Sequence, residues 1–271
     1  MQKGKSCALY TSLTFLAVVM FVPFYLMIAI SFKSSTQYVK NFWSFNFPLK
    51  VENYTKAWDI INKYILNSFF ISFVSVFGII VISALAGYAF AKYEFKGKNA
   101  LFFLILAFNM IPASLMLIPM YLNVLNLGLN NNLWGVILTD IATNSIVPIM
   151  LARAFFEEIP DSIFESARMD GAAELRLVTS IVLPLSKPII STIAIFSFFG
   201  IFNEYMWPML VLADDSLKTI PVGLAKLSGQ FGVDFGLQMA AYSIIAVPLM
   251  LLISFFMRYF VQGISAGAVK M

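Results

Sequence analysis

Glu165–Pro188 reads ESARMDGAAELRLVTSIVLPLSKP, a charged segment in a chain that is otherwise apolar. Of the 271 residues, 60% are hydrophobic, only 12% are charged, and 28 are phenylalanine. A soluble domain carries roughly 25% charged and 45–50% apolar residues. An excess of this size cannot be enclosed in one aqueous core, so the bilayer is the solvent. The net charge of +4 then reflects basic cytoplasmic loops rather than a nucleic-acid surface. A single cysteine, Cys7, rules out an internal disulfide. The absence of histidine removes His-based metal sites and any His-dependent triad.

A span needs roughly 20 apolar residues to cross a hydrocarbon core of about 30 Å. Six stretches qualify: Ala8–Phe32, Ile65–Ala91, Leu101–Leu122, Leu133–Phe156, Ile189–Leu212 and Leu237–Phe260. The runs are long and continuous, unlike the short alternating strands of a barrel. The first follows Lys3 and Lys5 as a signal peptide would, but its apolar run far exceeds an h-region of about 7–15 residues, and no small-residue cleavage site follows. The fold class predicted is therefore an all-α polytopic membrane protein of six transmembrane helices, forming a single domain over residues 1–271.

Lysine and arginine set the orientation. With the N-terminus inside, the inner side holds all four arginines and the three lysines of AKYEFKGKN, and eleven of the 18 basic residues in total. This predicts N-in and C-in. The one long inner loop, residues 157–188, lies between spans 4 and 5 and contains the opening segment.

Within that loop, Pro160 suits a first helical position. Ser162 and Glu165 have capping-box spacing, so the helix is expected to start within Pro160–Ser162. Ile163, Phe164 and Ala167 give it an apolar face. Gly171 suits a left-handed residue after the helix end. AAELRLVTSIVLP supplies a second short helix, with Pro184 and Pro188 turning the chain back to the membrane. Two readings stand on this pattern alone: an amphipathic connector on the headgroups, or a shape inserted into a partner's groove, the small residues at the bend allowing close approach.

The segment resembles the EAA signature of binding-protein-dependent ABC importers, E-A-A-x3-G-x9-I-x-L-P. Glu165, Ala167, Gly171, Ile181, Leu183 and Pro184 stand at its intervals, and Ser166 replaces the alanine of the motif's second position, small for small. NSFFIS, AGYAFAKYEFKGK, MIPASLMLIPMY, LGLNNNLWGVIL, FNEYMWPMLVL and RYFVQGISAGAVK extend the resemblance over nearly the whole chain. They look like the shorter, six-span subunit of carbohydrate-uptake permeases of the maltose-transporter type. The resemblance implies that Glu165, Ser166, Ala167, Asp170, Gly171, Ile181, Leu183 and Pro184 form a coupling segment docked on a cytoplasmic ATPase. It also implies a homologous second permease subunit, two ATPase subunits, an extracytoplasmic solute-binding protein, a sugar cargo, and a prokaryotic plasma membrane location.

No P-loop accompanies this: Gly4–Lys5–Ser6 lacks the earlier glycine and follows no strand. No cofactor is expected in this chain, ATP and Mg belonging to the partner ATPase subunits. Ionisable and amide groups inside spans are candidates for a cargo path. These are Asp140 and Asn144, four residues apart in span 4, and Asn203 and Glu204 within FNEYMWP. Trp207 offers a flat face to a sugar ring, or a place in the interfacial aromatic belt. Glu204 and Asp140 also have plainer readings, as a partner within the bundle and as a residue near the interface. Ser68, Ser72, Ser75, Ser83 and Gly87 fit helix packing better than binding. Asn109, Pro112 and Pro119 predict a kinked or unwound third span, as a gate or as a structural bend. VENYTKAWDIINKY reads as an amphipathic helix on the outer surface, on headgroups or under a docked binding protein. The alternatives of a different class are weaker. An intramembrane enzyme lacks its constellation here, and a passive channel or scaffold has no need of a capped lever.

Overall fold

The computed structural model describes the backbone of residues 2–230 and 234–268, and the side chains of residues 9–227 and 234–256. Lys3, Lys5, Cys7 and the RYFVQGISAGAVK string lie outside the described side chains. Every regular element among the described residues is helical. The chain forms two compact units, Met1–Asn62 with Gly223–Leu251, and Lys63–Val222 with Leu252–Met271.

In the first unit, α1 (Gln2–Ser31) exposes every side chain from Leu9 to Phe24 and is buried only at its end, at Ala29, Ile30 and Ser31. The chain there is tied by polar groups. Lys33 is wholly buried, and its ammonium donates to the carbonyls of Asn41 (2.7 Å) and Phe42 (2.9 Å). Asn53 Nδ2 donates to the carbonyls of Ser31 (2.8 Å) and Lys33 (2.9 Å), answering groups that the helix end leaves open. The short helix α2 (Ser35–Lys40) starts with a full capping box between Ser34 and Gln37.

α3 (Glu52–Lys92) runs 41 residues without interruption. The outer amphipathic helix and the second span are therefore one rod, where the sequence suggested two elements. No glycine or proline separates Tyr64 from Ile65, and nothing else would stop helical propagation. Its first turns bury Asn53, Ala57 and Ile61, while Val51 and Trp58 are exposed.

In the second unit three spans are broken. α4 (Lys98–Phe108) and α5 (Ala113–Asn126) meet at 98°, α6 (Leu133–Asn144) and α7 (Ile146–Glu157) at 45°. After α8 (Asp161–Met169) come α9 (Glu174–Leu177), a π-helical turn (Val178–Val182) and α10 (Leu183–Leu185), which meet α11 (Lys187–Phe202) at 84°. α12 (Met206–Val211) follows; most of α13 (Ile220–Gln230) and the first half of the unbroken α14 (Phe235–Ala268) belong to the first unit. Among the described residues, three helices are long and apolar enough to cross a membrane, and up to six spans result if each bent pair counts as one.

The break at Asn109–Pro112 is the kink predicted for span 3, while Pro119 is accommodated inside α5. Spans 4 and 5 were read as continuous and are not. Pro148 has no N–H for the Asn144 carbonyl, and α6 ends there. The π turn has the same kind of cause. Pro184 cannot donate to Ser180, and Leu183 N–H instead reaches the Val178 carbonyl. Ser68, Ser72, Ser75 and Ser83 are all buried, and Gly87 lies against α7 at Ala152 and Arg153. The small face of α3 packs helices.

Candidate functional site

Two places gather the residues singled out by sequence. The first is the loop after α7. Pro160 takes φ −58° and ψ 134° and starts α8 at Asp161. The expected Ser162–Glu165 box is not formed, because the helix begins one residue earlier and places Ser162 inside it. Ser166 Oγ instead donates to the Ser162 carbonyl at 2.8 Å. The helix stops as the glycine requires: Gly171 has φ +79°. Gly171 N–H donates to Arg168 O and Ala172 N–H to Ala167 O, each at 3.0 Å, which is a complete Schellman motif.

Only Phe164 of α8 is fully buried. Ile163, expected on the same apolar face, is 39% exposed. Phe164 lies under the Lys92 ammonium (5.1 Å to the ring centroid) and beside the Tyr88 ring (5.9 Å). Lys92 Nζ donates to the Ile159 carbonyl (2.6 Å) and to Asp161 (2.7 Å). Arg168 Nε donates to Glu174 Oε1 (2.9 Å), and Tyr88 hydroxyl to Glu174 Oε2 (2.7 Å). Two charged clamps thus fix α8 to the end of α3. Glu165, Ser166, Asp170 and Gly171 remain exposed at the free end, and Ala167 is half-buried. Ile181 and Leu183 are half-buried and Pro184 exposed, in and after the π turn. They are positioned to set the bend rather than to join that free end.

Sequence reading missed the clamp residues Tyr88, Lys92 and Glu174. Lys92 had a signal as a loop-edge lysine, but nothing local pointed to a partner 69 positions away.

Arg168, with the Tyr93 and Tyr88 hydroxyls, holds the Glu174 carboxyl down to about 2. A depressed carboxylate contributes stability above its ordinary value, and that contribution fades only as pH falls through the folded-state value. The clamp is therefore expected to hold unchanged between about pH 5 and 8. Glu174→Gln should lower the thermal stability of the chain in detergent by a similar, small amount over that whole range, as expected of a partly exposed ion pair. A Glu174→Gln defect that appears only at one end of the range would contradict this.

The second place is a cavity of about 830 Å³ in the Lys63–Val222 unit. Three helix breaks converge on its wall: Phe108–Ala113, Asn144–Ile146, and the interruption before α12 at Glu204. Irregular backbone at membrane depth is tolerated where it lines a cavity or is covered by protein. Asp140, Asn144, Glu204 and Trp207 all line it, joined by Asn109. Asn203 does not; its amide donates to the Phe199 carbonyl at 2.8 Å and closes the end of α11. Asn144 Nδ2 donates to the Asp140 carbonyl (3.1 Å). Glu204 Oε1 accepts from the backbone N–H of Met206 (3.0 Å) and Trp207 (3.2 Å), capping α12. The Trp207 ring is buried within the chain.

Residues 79–266 match the family described as "Binding-protein-dependent transport system inner membrane component". The "Probable ABC transporter permease protein YurM" of Bacillus subtilis is 33% identical, over 92% of this chain and 83% of its own length. The "Arabinooligosaccharides transport system permease protein AraQ" of Halalkalibacterium halodurans is 31% identical, over 94% of this chain and 93% of its own. Among solved structures, a chain of a bacterial ABC transporter "involved in the import of the acidic polysaccharide alginate" shares the fold. Its TM-score is 0.83 at 21% identity, with 95% of this chain and 97% of that one covered.

Proposed function

Because the chain belongs to the family of binding-protein-dependent transport system inner membrane components, we propose that it moves a sugar or oligosaccharide into the cell by alternating access. The chain is a multi-pass permease subunit of an ABC importer in the plasma (inner) membrane, and not an enzyme. ATP hydrolysis lies on separate subunits. In this proposal the chain acts as one permease domain with six spans, N-in and C-in, counting each bent pair as one span. Residues 157–188 are its cytoplasmic coupling loop. A homologous second permease subunit completes the pathway. Two ATPase subunits bind ATP and Mg, and an extracytoplasmic solute-binding protein delivers the cargo.

The observation that carries the reading is the free end of α8. A short helix is clamped to α3 by Lys92 and by Arg168–Glu174, ends in a left-handed glycine, and leaves Glu165, Ser166, Asp170 and Gly171 open to a partner. A clamped helix transmits displacement without bending. When an ATPase pair closes, motion of its cleft reaches α3 directly through Lys92. The sugar cargo is supported by the relatives, AraQ among them, whose names specify oligosaccharides.

The test is uptake by the complete complex in proteoliposomes, with the binding protein outside and ATP inside. Labelled arabinotriose, raffinose and maltose serve as probes. Uptake of at least one, dependent on both ATP and the binding protein, is expected. Equilibration without ATP would make this a passive channel. ATP-driven uptake of an amino acid or peptide, with none of the sugars moved, would replace the cargo.

A further inference from the structure

We propose that the cavity is a cargo subsite for neutral, hydroxyl-rich solutes, with Asp140 as acceptor and the Trp207 indole as donor; this rests on the carbohydrate-importer reading above. Both side chains line the cavity and are buried, at 5% and 4% exposure. Asp140 Oδ2 and Trp207 Nε1 have no hydrogen-bond partner among the described residues. Buried polar groups are nearly always paired, so two unpaired ones on one cavity wall point to something that pairs them.

Their chemistry narrows the ligand. The indole only donates, and a carboxyl group accepts, donating too when it holds a proton. A single hydroxyl both accepts and donates, so one sugar hydroxyl or two neighbouring ones answer both groups. An apolar solute leaves both unpaired. A cation suits the carboxyl oxygens but sets a positive charge against the indole N–H. An anion suits the indole but faces two carboxyl groups. Water also satisfies both groups, and a sugar hydroxyl replaces water there without losing its bonds. The volume of about 830 Å³ falls within the range of about 300–1,000 Å³ usual for small-molecule sites.

The position of the donor is built, not incidental. Glu204 caps α12 through the N–H of Trp207 itself, so the interruption of the fifth span fixes where the indole sits. Glu204 is thus a positioning residue. Oδ2 and Nε1 lie just behind the wall surface in this conformation. The three helix breaks that meet there give the wall the freedom to uncover them.

The experiment uses the complete reconstituted importer and whichever probe sugar the wild type takes up. It reads sugar imported per ATP hydrolysed, because an assembly defect lowers both quantities together and leaves their ratio alone. Asp140→Asn and Trp207→Phe are expected to lower this ratio about tenfold each, the usual consequence of leaving a buried polar partner unpaired. Thr143→Trp, at an exposed position on the cavity wall, tests the site without touching the buried groups, and is expected to abolish import by filling the cavity. Wild-type ratios in Asp140→Asn and Trp207→Phe would overturn the subsite while leaving the importer reading intact. Undiminished import by Thr143→Trp would overturn it even if the other two variants fail to fold. If the wild type moves none of the sugars but does move another cargo, the carbohydrate reading falls and takes this inference with it.

Discussion

Gly171→Val should leave an importer that reaches the membrane but does not import. At φ +79° an L side chain costs about 1–2 kcal/mol, and a β-branched one more. Apart from its chain neighbours, no atom of the described residues lies within 4 Å of the position a Cβ would take, so the defect is one of backbone and not of crowding. To relieve it the chain must leave the left-handed region. It then loses the bonds from Gly171 to Arg168 and from Ala172 to Ala167, and the last turn of α8 frays. The exposed residues Glu165, Ser166 and Asp170 ride on that turn. If an ATPase recognises the bend itself, a graded series follows. Gly171→Asn, which tolerates the left-handed region, keeps most coupled uptake; Gly171→Ala keeps part; Gly171→Val loses it. If the partner surface instead presses on the glycine, Asn and Ala fail as badly as Val. Binding of the ATPase subunits and ATP-driven uptake, measured side by side, separate the two. Normal uptake with Gly171→Val would show that the loop is only a surface connector.

Gly87→Leu should prevent the Lys63–Val222 unit from folding. A Cβ there would meet Ala152 Cβ at 2.7 Å, Arg153 N at 3.1 Å and Ala152 C at 3.2 Å. Two of the three are backbone atoms, which cannot rotate away. Overpacking commonly costs about 1–3 kcal/mol and more where the neighbours are rigid. In lipid the loss is direct, because close approach of small residues is what holds helices together. Gly200 gives the control: nothing lies within 4 Å of its Cβ position, so Gly200→Ala should be neutral or stabilising by up to about 1 kcal/mol. Thermal stability in detergent and membrane yield read both. Wild-type stability in Gly87→Leu would mean that α3 and α7 do not meet at this glycine.

What the sequence disclosed divides along physical lines. The long apolar helices were legible because a continuous apolar run of this length reads as helix by length alone. The interruptions at Pro112 and between Pro184 and Pro188 were legible because proline acts locally. The breaks at Pro148 and within FNEYMWP were not read from the sequence. There Glu204 stood as a cargo-path candidate or a partner within the bundle, and the structure adds a backbone task as the cap of α12. The start of α8 showed a conflict of two local signals, and proline prevailed over the Ser162–Glu165 box. The loop position and its glycine turn could be read directly. Its clamps could not, since Tyr88 and Glu174 are 86 positions apart and neither residue looks unusual where it stands. Of the five cargo-path candidates read from sequence, Asp140, Asn144, Glu204 and Trp207 line the cavity, and Asn203 is satisfied within its own helix.

The exposed first helix bears on biogenesis. From Leu9 to Phe24, every side chain of α1 is exposed among the described residues. Its place in the bilayer depends on hydrophobicity, with each Leu, Ile, Phe or Val contributing on the order of −0.3 to −0.6 kcal/mol to insertion. The helix is therefore stable in lipid by its own apolar surface, unlike the broken spans. Those spans carry Asp140, Glu204 and several prolines, and so depend more on one another for their stability in the membrane.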